Sequence, residues 1–262
     1  MNRMIVETLH QAESAYNIRV LYACESGSRV WGTHTEQSDY DVRFIYIHPR
    51  EVYLSIDPVG IGRKRDVIEL PKRQNLDIYG WDLTKSLRLL RKSNPSILEW
   101  IHSPIIYMQA SNDIYGQLKK VAEDIFSPVP CLHHYVNMAQ KNYHDCQHSS
   151  TFNKKKWIYA VRSMLLALWT EKNHTFPPFS AHSLLDQFIG AGTIKEKMSS
   201  MLLNGTLEEH LDIAQQLGPF LDQEIKRLQH YSRNYKENVH ADMTERMDQL
   251  FRTTLEEMDM GG

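Results

Sequence analysis

Apolar positions change their period along this chain, and each change predicts a different element. Residues 4–14 carry an amphipathic helical pattern. Ile18 to Ala23 is rich in β-branched and aromatic residues and predicts a buried strand that ends in a Gly27-Ser28 turn. A short helix follows over 28–32. Tyr40, Val42, Phe44 and Tyr46 then alternate with more polar residues, predicting a strand over Tyr40 to Ile47 with one core-facing side. Val67 to Leu70 and Leu76 to Trp81 flank Pro71-Lys72-Arg73-Gln74-Asn75 and predict a hairpin.

From Asp82 onward the pattern becomes helical. Asp82 is an N-cap residue type, with Leu83, Leu87 and Leu90 behind it at i, i+4 and i+7. Asn94-Pro95 opens a second short helix by the Asn N-cap and Pro N1 preference. Ser111 precedes a stripe of Ile114, Leu118, Val121 and Ile125. Over 153–172, Trp157, Val161, Leu165 and Leu168 share one helical face, while Lys155, Tyr159 and Arg162 share another. Gly190 to Gly192 and Asn204-Gly205 interrupt later helices, and the acidic end from Thr254 to Gly262 is expected to fray. This order predicts an α+β fold: a small mixed-sheet domain over 1–109, then a helical domain over 110–262.

Composition narrows the function. With 262 residues and 42% hydrophobic content, the chain can bury a substantial core. Its formal charge of −2 supplies no global attraction to nucleic acid or membrane, so any polynucleotide contact must be a local patch. Cys24, Cys131 and Cys146 are odd in number and lack CxxC spacing, which argues against a disulfide framework or structural zinc. No apolar run approaches the ~18 residues of a membrane span, and the start lacks a secretory apolar segment. A cytoplasmic protein with no membrane association is expected.

The chemistry concentrates between Gly27 and Asp41. Gly27-Ser28 makes a tight turn whose N–H groups and hydroxyl can meet a phosphate. After ten intervening residues, Asp39 and Asp41 fall on one side of a strand and can share divalent metal. Nucleotidyl transfer needs these parts together: an oxygen nucleophile attacks an α-phosphorus, and two Mg²⁺ ions neutralise the attacking and leaving oxygens. Arg29 stands beside the turn. Lys85, one turn into the helix after Asp82, is a candidate for the leaving pyrophosphate. Lys155, Lys156, Tyr159 and Arg162 have the residue types of a triphosphate or polynucleotide clamp. His144 and His148, four apart, make a weak metal signal without an accompanying HExxH pattern.

The Gly27-Ser28 to Asp39-x-Asp41 pattern resembles the polymerase-beta-like nucleotidyltransferase superfamily. More closely, Glu25 to Arg29, Trp31-Gly32 and Ser38 to Arg43 resemble predicted nucleotidyltransferases associated with RNA ligases. The likeness continues through Gly80 to Leu83, Lys85, Lys92 to Pro95, Glu99-Trp100, Ser103-Pro104 and Tyr107, and more faintly through Lys155 to Trp157, Tyr159 and Arg162. It implies a third metal-binding acid on a neighbouring strand. Asp77, between Leu76 and Ile78, is the preferred choice because it precedes Gly80-Trp81-Asp82; Glu69, between Ile68 and Leu70, is the reserve. The resemblance implies a Mg²⁺-dependent transfer of a nucleoside monophosphate from ATP or another nucleoside triphosphate to an acceptor hydroxyl, with an RNA end in RNA repair as one acceptor. Adenylylation of a small molecule or protein, and a catalytically silent nucleotide-binding or interaction module, are the other readings.

Overall fold

The computed structural model describes residues 1–56, 63–73, 75–110, 113–149, 151–202, 207–235 and 242–259. Ser111, Gln74, Asn204-Gly205 and Gly261-Gly262 lie outside them. The first half alternates helices and strands: α1 (Asn2–Tyr16), β1 (Arg19–Ser26), α2 (Ser28–Trp31), β2 (Tyr40–Ile47), α3 (Arg50–Tyr53), α4 (Arg63–Asp66), β3 (Val67–Glu69), β4 (Leu76–Asp82), α5 (Leu83–Leu90), α6 (Pro95–Ile101) and β5 (Ile106–Gln109). Helices make up the rest: α7 (Ile114–Asp124), α8 (Pro128–Gln147), α9 (Lys154–Asn173), α10 (Ala181–Phe188), α11 (Thr193–Leu202), α12 (Leu207–Asn234) and α13 (Thr244–Asp259). None of the described helices is long and apolar enough to cross a membrane.

The chain is α+β, with a mixed sheet ordered β3-β4-β2-β1-β5. Only β2 and β4 run parallel; the other neighbours are antiparallel. A parallel pair cannot be joined by a tight turn, and the connection here contains α3, α4 and β3. One sheet face carries Val20, Ala23, Val42, Phe44, Tyr46 and Ile78 and is covered by Ile5 and Leu9 of α1. Gly80 permits this packing: a Cβ there would overlap the Phe44 ring. On the other face, Trp81 stacks on Trp100 of α6 at 3.8 Å, and Tyr22 stacks on Tyr115 of α7 at 4.7 Å. Local capping agrees with the sequence. The Asp82 side chain accepts from Thr84 N–H at 2.8 Å, and Asn94 accepts from Ser96 N–H at 3.0 Å.

Two compact units emerge. The first comprises Met1–Val30, His34–Ile125 and His240–Gly262; the second comprises Trp31–Thr33 and Phe126–Val239. The boundary therefore differs from the expected break at 110. α7 belongs to the sheet unit because it packs on α6 and β1, and α13 returns to it through α5 and α7. Two further expectations change. Instead of fraying from Thr254, the chain stays helical to Asp259 with Thr254 and Leu255 buried. β5 was not expected either, since a four-residue edge strand is too short to show a period.

Within the second unit, α8 and α9 pack together, with α12 against both. α9 is buried on more than the predicted face: Arg162 and Ser163 lie inside with Val161 and Leu165. The expected basic face is thus not uniformly solvated.

Candidate active site

β1 delivers Gly27 beside Asp41. Gly27 has φ +68°, and a Cβ at this position would overlap Asp41 Oδ2 and lie 3.1 Å from its Cγ. A glycine is therefore needed twice, for the left-handed backbone and for the close approach. The four-residue α2 continues from Ser28. Arg29 turns back along the loop: its Nη2 donates to the Ser38 carbonyl at 2.8 Å and its Nε to the Asp39 carbonyl at 3.3 Å, with the guanidinium 3.6 Å above the Tyr40 ring. Arg29 thereby ties the start of β2 to the Gly27 turn.

The parallel register places Asp41 opposite Asp77, with Ser26 on Asp41's other side. Neighbouring strands are ~4.8 Å apart, so two carboxylates in register repel unless a cation joins them. Arg43 supplies that cation. Its Nη2 donates to Asp41 Oδ1 at 3.1 Å and to Asp77 Oδ2 at 2.9 Å, while its Nη1 donates to the Val42 carbonyl at 3.0 Å and the Asp77 carbonyl at 3.2 Å. Asp39, just before β2, pairs instead with Lys72 at 2.6 Å. The hydrogen bond to Asp39 raises the Lys72 ammonium above the usual lysine range. Among the described residues, no three His, Cys, Asp or Glu side chains are gathered to hold an ion.

Glu69 stands apart from this group. It is exposed on β3 and pairs with Tyr79, two strands from β2, or roughly 10 Å away at ordinary strand spacing. Lys85 is not brought in either. It follows the far end of β4, and from Asp77 to Asp82 the strand advances by roughly 17 Å. There Lys85 Nζ lies 5.3 Å from the Trp81 ring centre, and burial lowers its pKa. In the second unit, Lys156 pairs with Asp145 at 2.8 Å. Arg162 covers the Trp31 ring at 3.6 Å, and Tyr159 meets the same ring edge-on at 5.5 Å. His144 and His148 stack on each other at 4.1 Å.

Three residues outside the candidate set shape the site: Arg43, Glu25 and Tyr107. Glu25 is fully buried at the end of β1; its Oε1 accepts the Asp41 N–H at 2.8 Å, and its Oε2 accepts from the Tyr107 hydroxyl. A signal existed for both charged residues. Asp39, Asp41 and Arg43 recur with period two, and Glu25 directly follows the run Val20 to Cys24. Cys24 beside it is inert, its thiol pushed up to about 12 by burial.

Burial also raises the Glu25 carboxyl above its ordinary pKa. The folded state therefore holds this proton more tightly than the unfolded state, and stability is lost as pH climbs from ~4.3 through the folded-state value. Glu25→Gln removes that titration and retains an acceptor for the Asp41 N–H. In urea unfolding, the Gln variant should gain on wild type as pH rises; an unchanging difference would refute a raised Glu25. Glu25→Ala leaves two donors without their acceptor and is expected to cost about 1–3 kcal/mol for each.

Known proteins similar to this chain identify its family. The chain is 37% identical to the uncharacterized protein YcgL of Bacillus subtilis (strain 168) over 261 residues, covering 98% of each. A nucleotidyltransferase-like protein from Exiguobacterium sibiricum 255-15 is 16% identical in sequence, with a TM-score of 0.36 over 86% of this chain and 74% of that one. The family model described as "RNA repair pathway DNA polymerase beta family" matches residues 1–253. With the Gly27 turn, the Asp41 and Asp77 register and a match along nearly its whole length, the chain belongs to the RNA repair pathway DNA polymerase beta family, a polymerase-beta-like nucleotidyltransferase group.

Proposed function

We propose that the protein transfers a nucleoside monophosphate from ATP or another nucleoside triphosphate to an acceptor hydroxyl, and that the acceptor is an RNA end. The observation that carries the reaction is the pair of in-register carboxylates, Asp41 and Asp77, against a turn where Gly27 lets the backbone approach Asp41 closely. Hard carboxylate oxygens suit Mg²⁺, and Asp39, Asp41 and Asp77 are the residues that would hold it. Bound there, the metal would neutralise charge on the phosphates and on the attacking and leaving oxygens.

The chain's own groups divide the remaining work. The Gly27 turn offers N–H groups and Ser28 a hydroxyl to the phosphates. α2 is only one turn long, so these local donors matter more than a helix dipole. Arg29 holds the Asp39 loop and places a positive charge beside the turn. A carboxylate oxygen of Asp77 accepts the acceptor hydroxyl's proton as it attacks. Within the second unit, Lys156 and Tyr159 have residue types that suit phosphate or RNA, while Arg162 is buried over Trp31 and would act by holding that ring.

The RNA acceptor is supported by the family description. The test is label transfer from α-labelled triphosphates to RNA, aminoglycosides and proteins, with Asp39→Ala and Asp41→Ala as controls. Labelled RNA that disappears in both variants is the expected result. Label on a small molecule or protein instead would replace the acceptor, and absence of both transfer and metal-dependent triphosphate binding would sink the enzyme reading.

A further inference from the structure

The Arg43 guanidinium does more than line the acidic group, because it contacts both carboxylates that the proposed reaction needs for metal. Its four contacts use the Asp41 and Asp77 side chains and two backbone carbonyls of β2 and β4. The three side chains are about one-third exposed or less: 18% for Arg43, 29% for Asp41 and 35% for Asp77. The Lys72–Asp39 pair differs. It joins side chains that are 59% and 38% exposed, and such pairs contribute little and exchange readily.

We propose that Arg43 is the resident cation of this site and competes with divalent metal for Asp41 and Asp77. The proposal rests on the nucleotidyltransferase reading and adds a control over when its metal can enter. A guanidinium and a dication attract the same carboxylate oxygens and repel each other, so occupancy by one disfavours the other. Metal entry therefore requires Arg43 to leave Asp41 Oδ1 and Asp77 Oδ2. Its position on β2, two residues after Asp41 on the same side of the strand, allows that exchange through side-chain rotation without a change in strand register. Once released, the planar fork is suited to a phosphate.

Manganese binding to the full-length protein tests this without relying on turnover. Titration calorimetry or the EPR signal of free Mn²⁺ would compare wild type with Arg43→Gln, each with and without a nonhydrolysable triphosphate. Without nucleotide, Arg43→Gln is expected to bind Mn²⁺ ~10-fold more tightly, within the ordinary range of coupling between linked binding events. Its metal-free melting temperature should fall, and saturating Mn²⁺ should raise it by more than in wild type. Arg43→Lys guards against a folding failure: its point charge and shorter reach cannot reproduce the fork, so its Mn²⁺ affinity should also exceed that of wild type. Equal or weaker Mn²⁺ binding by folded Arg43 variants would overturn the competition while leaving the nucleotidyltransferase reading intact. If no protein takes Mn²⁺ under any condition, both fall.

Discussion

Asp77→Asn is expected to reduce kcat for nucleotidyl transfer on the order of 10³-fold while retaining much of the triphosphate affinity. The reason lies in the sheet. Asp77 is in register with Asp41, shares Arg43 with it, and is the acid proposed to take a proton from the acceptor hydroxyl. Asparagine keeps the size and an oxygen acceptor for the guanidinium, so the variant separates lost charge from lost packing. Glu69→Gln is the matched control, since that residue is exposed two strands from β2. Single-turnover transfer from an α-labelled triphosphate, alongside equilibrium binding of its nonhydrolysable analogue, distinguishes chemistry from affinity. An active Asp77→Asn with a dead Glu69→Gln would reverse the assignment of the third acid.

Gly27→Ala should be nearly as damaging, for a different reason. An L-residue at φ +68° costs about 1–2 kcal/mol, and the new methyl collides with Asp41 Oδ2. Either the turn or the carboxylate must move. A displacement of about 1 Å at a catalytic group can cost ~10²-fold in rate. Gly32→Ala isolates the backbone contribution: φ is +74°, yet nothing lies within 4 Å of the added Cβ. Both variants should lose stability in urea unfolding, but Gly27→Ala should lose far more transfer. Equal transfer by the two would show that the contact between the turn and Asp41 does not matter to the reaction.

The early elements were readable because each is specified locally. The alternation of Tyr40, Val42, Phe44 and Tyr46 predicts β2 at its observed bounds, and Asp82 and Asn94 cap the helices that follow. β5 was not readable, because its edge position comes from pairing with β1 rather than from its own period. The fate of the late helices was hidden for a similar reason. α7 and α13 have helical patterns like their neighbours, and only their packing on α5, α6 and β1 assigns them to the sheet unit.

The candidate site divides along the same line. Gly27, Asp39 and Asp41 could be singled out from sequence because a turn and a period-two strand place nearby residues predictably. Lys85 could not be placed that way, since its spacing from Asp82 shows the helix it occupies but not its distance from Asp77. Arg29 and Arg162 also carry plausible phosphate-binding chemistry, yet they bind the Asp39 loop and cover Trp31 respectively. Trp31 lies far from Arg162 in sequence, and the Arg29 contacts depend on how the loop to β2 folds back.

Sequence alone therefore determined the local parts of the candidate site: a Gly27-Ser28 turn and an Asp-x-Asp strand, whose spacing is set by bonded geometry. Tertiary structure decided which acids are neighbours. The parallel register of β2 and β4 brings Asp77 opposite Asp41 and leaves Glu69 on the outer strand. It also turns Arg43 from one polar position in an alternating strand into the cation joining both acids. Registry between strands separated by a long connection depends on packing the whole sheet, so no local pattern could specify these neighbours.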